Sequence, residues 1–406
     1  MPSVLKPATQ DQLRDAVAWA ASSKTPLEII GSGSKRAIGR PVEAAWQLDL
    51  GALSGITLYE PEELIIQAKA GTPLAELLEV IDRRGQCLAF DPPDLSALLG
   101  AGGGGRGTVG GMVAANLAGP SRVKMGAVRD HFLGFQAVSG RGEAFKGGAR
   151  VVKNVTGYDL PKLLAGSWGT LAVMSEVILK VLPKPETEAT LVIFGLEDGD
   201  AIARLCQAMG SSCEVSAAAH VPADLAGCFD LARRGGQAMA ITLIRLDGVA
   251  PSVEYRMGKL RGLVAQAVPS MVIGAADSHD LWSEIRDCVP LAGSSGAVWR
   301  ISVPPTEGPR VLEQLRERAQ ARGYFDWSGG LIWCEAGTPD DPKEEAVRAV
   351  VSTTTGHATL IRASSRVRAD AQVFDPLSAG ARSVSARIKA QFDPLGVLNP
   401  GRMYGA

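Results

Sequence analysis

Apolar residues recur along this chain at two spacings, and each change of spacing marks an element. Near the start, ATQDQLRDAVAWAASSK places Leu13, Ala16, Val17 and Ala20 on one helical face, with Thr9 and Gln12 at capping-box spacing. The pattern predicts an amphipathic helix, then the apolar run LEII, and later the strand AWQLDL. The stretch ITLYEPEELIIQAKAGTPLAELLEVIDRRGQ repeats the theme with strands followed by a helix. Thr72 is expected to cap that helix, Pro73 to open it, and Leu74, Leu77, Leu78 and Ile81 to be buried. From Val128 to Pro183 the rhythm becomes that of strands, in FLGFQAVSG, GEAFKGG and AVMSEVILKVL. Pro183 and Pro185 then punctuate the chain, and a domain boundary is expected there.

Beyond that point strands and amphipathic helices alternate. The order is TLVIFG, a helix near Ala201–Met209, AMAITLIRLDG, SVEYRMGKLRGLVAQA, GAVWRISVP, PRVLEQLRERAQAR, DWSGGLIWCE, DPKEEAVRAVVSTT and GHATLIRA. This implies an α+β or α/β layer. The tail AGARSVSARIKAQFDPLGVLNPGRMYGA reads as a helix stopped at Asp393-Pro394, then a Gly/Pro loop expected to fold back on the first domain.

Composition narrows the function classes. The 406 residues fit two to three domains, and a net charge of -1 gives no basic footprint for nucleic acid. Six cysteines lie scattered without C-x-x-C spacing, which argues against a metal ribbon, a cluster or a disulfide framework. The opening MPSVLKPATQ lacks a signal-peptide pattern, and no apolar run reaches the roughly 18 residues of a spanning helix. The expected location is cytoplasmic, or peripheral to a membrane through a partner.

The 47 glycines concentrate in loops that carry the chemistry. LEIIGSGSKR runs from an apolar strand into a bare-backbone turn ending in Lys35 and Arg36. Converging N–H groups and two cations suit a phosphate-bearing ligand, although a surface turn with solvated cations fits the same residues. Neither a Walker loop nor a dinucleotide fingerprint is complete, since Arg36 stands where the latter needs its third glycine. DPPDLSALLGAGGGGRGTVGGMVAANLAGP has eight glycines between Gly100 and Gly111, so its backbone can approach a ligand closely, or stay flexible. There Gly110 and Gly111 abut a helix start and can aim N–H groups at an acceptor. Gly166 and Gly169 make another bare loop.

Together, GSGSKR, TVGGMVAANLAGP, KNVTGYDLPKLLAGSWGTLAVMSEVILKVLP and FDPLGVLNPGRM resemble the vanillyl-alcohol-oxidase or PCMH-type FAD-binding fold. VKMGAVRDHFLG, DWSGGLIW, VWRISVP, TGHATLIR and NPGRMY resemble, more closely, the FAD-binding E subunits of bacterial glycolate oxidases, also called glycolate dehydrogenases. The resemblance runs from the first helix to the last ten residues. It implies a PCMH-type FAD-binding domain over 1–184, with subdomains of about 1–52 and 53–184. A ferredoxin-like cap would follow over 185–370, and a returning tail over 371–406. By that likeness Ser32, Gly33, Ser34, Lys35 and Arg36 hold the pyrophosphate, and Pro93, Thr108, Gly110, Gly111 and Asn116 line the ring and ribityl chain. Gly169 and Val177 would stand on the adenine side, and Asn399 would return to the flavin. No histidine stands in GSGSKR, where this fold commonly links its flavin covalently, so the FAD is expected to be non-covalent.

Two departures from the family pattern matter. The insertion LLGAGGGGRG is longer than expected. The histidines are His131, His220, His279 and His357, with no pair at close spacing, so the metal-binding cluster of the related catalytic D subunit is not expected here. Oxidising glycolate to glyoxylate needs a base, a cation for the carboxylate and a hydride acceptor. His357 is the candidate base, with Arg300 and Arg362 as carboxylate clamps, although each suits a structural role as well. Trp299, Trp327 and Trp333 read as packing residues. The resemblance thus implies an FAD subunit that works with a D-type flavoprotein and an iron–sulfur subunit, relaying electrons from a 2-hydroxy acid. Alternatives are a self-sufficient 2-hydroxy-acid dehydrogenase and a structural subunit with a decayed flavin site.

Overall fold

A computed structural model describes residues 2–100, 105–150, 157–229, 231 and 239–405. Three strands open the chain: β1 (Ser3–Leu5), β2 (Leu27–Ile30) and β3 (Trp46–Asp49) pair in parallel in the order β1-β3-β2. The helix Gln10–Ser23 connects the first two, and Thr9 caps it by accepting from the Gln12 N–H. Leu13, Val17 and Ala20 on its inner face pack with Leu27 and Leu48, and also with Val397 and Leu398 from the far end of the chain. A parallel bridge pairs Leu27 with Leu398, so the tail joins the first sheet.

The second sheet is antiparallel, in the order β4 (Ile56–Glu60), β5 (Ile65–Lys69), β9 (Ala172–Lys180), β7 (Phe132–Ser139) and β8 (Ala144–Gly148). The helices Leu74–Asp82 and Val109–Ala115 cover it, with Leu74, Leu77, Ile81, Val109 and Met112 in its core. Thr72 does not cap the first of these helices. Its hydroxyl is committed to Gly55, accepting the N–H at 2.9 Å and lying 3.2 Å from the carbonyl, and Pro73 takes the cap position.

The third sheet has eight antiparallel strands, including β12 (Ala217–Val221), β15 (Val298–Ser302), β16 (Arg322–Asp326), β17 (Leu331–Glu335) and the edge strand β18 (His357–Arg362). One face carries Trp299, Ile301, Phe325, Ile332 and Leu360 against the helices Asp198–Met209, Ala250–Val264, Gly308–Ala319 and Glu344–Val351. The other face carries Val298, Tyr324, Leu331, Trp333 and Ile361, and packs on Leu95, Leu98, Ala115 and Leu117 of the preceding region as well as on Trp282. By strand alternation Arg300 and His357 belong to this second face, where β15 pairs Arg300 with Trp333 on one side and Ser302 with His357 on the other. Mixed helix and sheet in this arrangement make the fold α+β.

Candidate functional site

A cleft opens where the ends of β2 and β9 meet the start of the helix Val109–Ala115. Its walls include Ile29, Gly31, Ser32, Ser34, Lys35, Arg36, Thr108, Gly110, Gly111, Trp168, Gly169, Met174, Asn399 and Arg402. The two loops come this close because Gly31 lacks a side chain: a Cβ there would lie 2.4 Å from the Thr108 hydroxyl. Gly33 adopts φ +78° beside open space, so no side chain crowds the mouth. Gly169, at φ +70°, leaves 2.8 Å between its Cβ direction and the Asn399 amide.

The two cations of GSGSKR divide into two roles. Ser34 is buried, and Lys35 reaches in with its ammonium 3.5 Å from the Arg106 carbonyl and with no ion pair among the described residues. Burial holds that ammonium below its ordinary value, with Asp94 opposing. Arg36 instead turns back to form a bidentate pair with Glu28, at 2.7 and 2.6 Å, and the buried Glu28 also accepts from Gln47 at 2.9 Å. Arg36 thus stiffens the loop from outside while Lys35 charges its interior.

The tail braces the same loop. The Asn399 side-chain oxygen Oδ1 accepts from the Ile29 N–H at 2.8 Å, and its Nδ2 donates to the Trp168 carbonyl at 2.8 Å, joining strand β2 to the loop before β9. Arg402 donates to the carbonyls of Lys35, Arg36 and Arg40 at 3.0 to 3.2 Å. Burial, then Arg368, pushes its guanidinium down to about 10. Sequence reasoning singled out Asn399 but missed Glu28, Trp168 and Arg402. NPGRMY held the only signal for the last of these, since no local pattern reports a cation that will be buried 366 residues away from its partner.

Other expected contacts are placed differently. The Gly110 N–H donates to the Ala70 carbonyl at 2.8 Å and the Gly111 N–H to the Thr108 hydroxyl at 3.2 Å, so neither is open to a ligand. Val177 lies wholly within the core of the second sheet. Pro93 is buried outside the cleft, next to Asp94, whose N–H donates to Asp287 at 2.8 Å. Asn116 ends its helix at φ +50° and accepts from the Arg129 N–H at 3.0 Å. Part of the glycine insertion, 101–104, lies outside the described residues.

On the large sheet, Arg362 is committed to structure. It donates to Gly296 at 2.8 Å, Leu98 at 3.0 Å and Ser294 at 2.6 Å. Arg300 is buried with no hydrogen bond or ion pair among the described residues. His357 stands exposed at the sheet edge, where its partial burial and the charge of Arg300 hold its imidazole below the ordinary value. Among the described residues no His, Cys, Asp and Glu side chains gather into a metal-binding group.

The cleft fits the phosphates of a flavin nucleotide. It presents a half-buried cation with no ion pair among the described residues, an open left-handed glycine, and loops whose approach depends on missing side chains. Fold and cleft together define a PCMH-type FAD-binding flavoprotein, and residues 2–148 match the FAD binding domain family. The chain is 34% identical over 397 residues, 97% of its length and 96% of the relative's, to glycolate oxidase subunit GlcE of Escherichia coli. It is also 29% identical over 64% of its length to 54% of glycolate oxidase subunit GlcD of Bacillus subtilis. Solved structures show the same fold: p-cresol methylhydroxylase with substrate bound (TM-score 0.73, 15% identity, 99% of this chain and 88% of that one) and 4-ethylphenol oxidase from Gulosibacter chungangensis (TM-score 0.72, 15% identity, with the same coverage). The chain therefore belongs to the family of FAD-binding glycolate oxidase subunits, and is an FAD-dependent oxidoreductase subunit.

Proposed function

We propose that this chain is the FAD-carrying electron-relay subunit of a multi-subunit glycolate dehydrogenase, with a D-type flavoprotein and an iron–sulfur protein as partners. The end-to-end likeness to GlcE carries the reading. In it, residues 1–184 hold FAD, 185–370 form the cap and 371–406 return to close the cleft. The FAD is held without a covalent link. Lys35 neutralises phosphate charge, and Ser32, Gly33 and Ser34 bring backbone close to it. Arg36 fixes the loop through Glu28, and Asn399 and Arg402 hold it against the loop before β9. When bound, the flavin supplies a two-electron acceptor. Among the described residues no helix is long and apolar enough to cross a membrane, and any membrane association is assigned to the partners.

A second reading, in which the chain oxidises a 2-hydroxy acid alone, draws support from Arg300, which has no hydrogen bond or ion pair among the described residues and shares a sheet face with His357. Anaerobic titration of the FAD-loaded chain with glycolate separates the two. The relay reading expects the visible flavin band to persist until the partner subunits are added. Bleaching of the isolated chain would replace it with the second.

A further inference from the structure

The eight-stranded sheet ends in two edge strands, β18 on one side and β14 (Ser270–Ile273) on the other. β14 pairs on its inner side with β11 (Thr187–Phe194), where Val272 lies opposite Leu191, and among the described residues no strand takes its outer side. Sheet edges are ordinarily blunted by a lysine, an internal proline or a bulge. β14 has none of these. Its register with β11 is regular, its residues are uncharged, and Met271 and Val272 stand 38% and 42% exposed.

The helix over this edge is bare on the same side. Ala250–Val264 buries Val253, Met257, Leu260 and Val264 against Leu191 and Ile193 of β11. Its flank toward β12 is engaged, with Arg256 donating to the Cys213 carbonyl at 3.0 Å and Lys259 to the Ser212 hydroxyl at 3.4 Å. By helical period Glu254, Gly258 and Arg261 stand on the other flank, toward β14. All three are exposed, and neither charged side chain has a hydrogen bond or ion pair among the described residues. A Cβ at Gly258 would meet nothing within 4 Å, although glycine weakens a helix interior.

The charges on that flank say what covers it. Antiparallel pairing of a strand with its own copy, and antiparallel crossing of a helix with its own copy, both need a two-fold axis. Val272 sits opposite the middle of β11, and Gly258 is near the middle of the helix that packs on that strand, so one axis can serve both. In a helix pair crossing beside Gly258, Glu254 of one copy falls opposite Arg261 of the other, and the reciprocal pair forms across the axis. The flank is thus complementary in charge to itself, and the missing Cβ lets the two backbones approach. On the opposite face of the sheet the helix Ala275–Arg286 exposes Asp277 and Asp280, whose like charges disfavour close approach there.

We propose that this edge is the interface between two copies of the chain. β14 pairs antiparallel with its copy, joining the two eight-stranded sheets into one, and the helices Ala250–Val264 cross at Gly258 with two reciprocal Glu254–Arg261 ion pairs. None of the residues that line the FAD cleft takes part. The subunit therefore enters a larger assembly as a pair, whichever reading of its chemistry holds.

Sedimentation velocity of the FAD-loaded chain over a range of protein concentrations tests it, with bound flavin measured for every variant as a check on folding. The expected result is a species of twice the chain mass. Its dissociation constant should rise at least tenfold in Val272→Lys and in Glu254→Arg, return toward the original in the double variant Glu254→Arg/Arg261→Glu, and stay unaltered in Glu317→Arg, an exposed position on a different helix. The charge exchange remains decisive should Val272→Lys fail to fold. A chain that stays monomeric up to its solubility limit would overturn the proposal. So would a dimer that Val272→Lys and Glu254→Arg leave equally tight, or association that appears only with added partner subunits and is lost in those two variants, which would assign the edge to a different protein.

Discussion

Gly33 adopts φ +78° at the mouth of the cleft, beside open space. Aspartate there adds left-handed strain and sets a carboxylate against the phosphates that Lys35 is proposed to neutralise. Gly33→Asp is expected to leave purified protein with less than about a tenth of the flavin of the unsubstituted chain, by the ratio of visible to protein absorbance. His357→Ala, far out on β18, should keep its flavin. Asp326 gives a pH signature of opposite sense to most carboxylates. Burial raises its folded value to about 7, so the folded state holds a proton that the unfolded chain releases near its ordinary value. Its contribution is therefore most favourable at low pH and is lost as pH rises from about 4 through 7. Arg245, Asp91 and Arg300 face the same group. Asp326→Asn should remove that loss, on the order of 3 to 4 kcal/mol at most, and denaturant unfolding at pH 4.5 and 8 would show it as a smaller difference between the two.

At the level of elements, a buried imidazole ties the large sheet to its helices. His220 on β12 is wholly buried, 2.8 Å from the Thr242 hydroxyl and 3.2 Å from Asp198, which also pairs with Arg316 at 2.6 Å. His220→Ala should cost about 2 to 4 kcal/mol by leaving these groups unpaired around a void, measured as a lower denaturation midpoint with unchanged slope. Such elements also show what the sequence could and could not reveal. Helical spacing located Leu13, Val17 and Ala20, and the continuous apolar run AVMSEVILKVL located the long strand β9, because both signals survive in one dimension. The strand AAAHV was not visible, since alanines on both faces give no alternation, although all five residues are buried. Thr72 had the chemistry of a helix cap, and only the tertiary approach of Gly55 redirected its hydroxyl. In the cleft, the glycines and Asn399 stood out as residue types. Glu28 and Arg402 did not, because their roles arise from contacts between distant segments.

In the whole molecule, the first core is completed by the tail. Asp393 accepts from the N–H groups of Val397 and Leu398 at 3.0 and 2.9 Å, and Lys389 donates to the Thr170 carbonyl at 2.6 Å. Val397 and Leu398 then fill the core beneath β2. Asn399→Ala removes both bonds that join β2 to the loop before β9 and should cost roughly 1 to 3 kcal/mol. It should also speed FAD dissociation, which stopped-flow flavin fluorescence after dilution would measure. An unchanged dissociation rate would mean that the Asn399 bridge does not control the cleft.

That bridge also sets an order of events during synthesis. The Ile29 N–H waits for a partner 370 residues downstream, which at 5 to 20 residues per second is about 20 to 70 s of translation. A nascent chain thus carries its phosphate loop long before the clamp that steadies it exists. Firm capture of the flavin becomes one of the last steps in the maturation of this polypeptide.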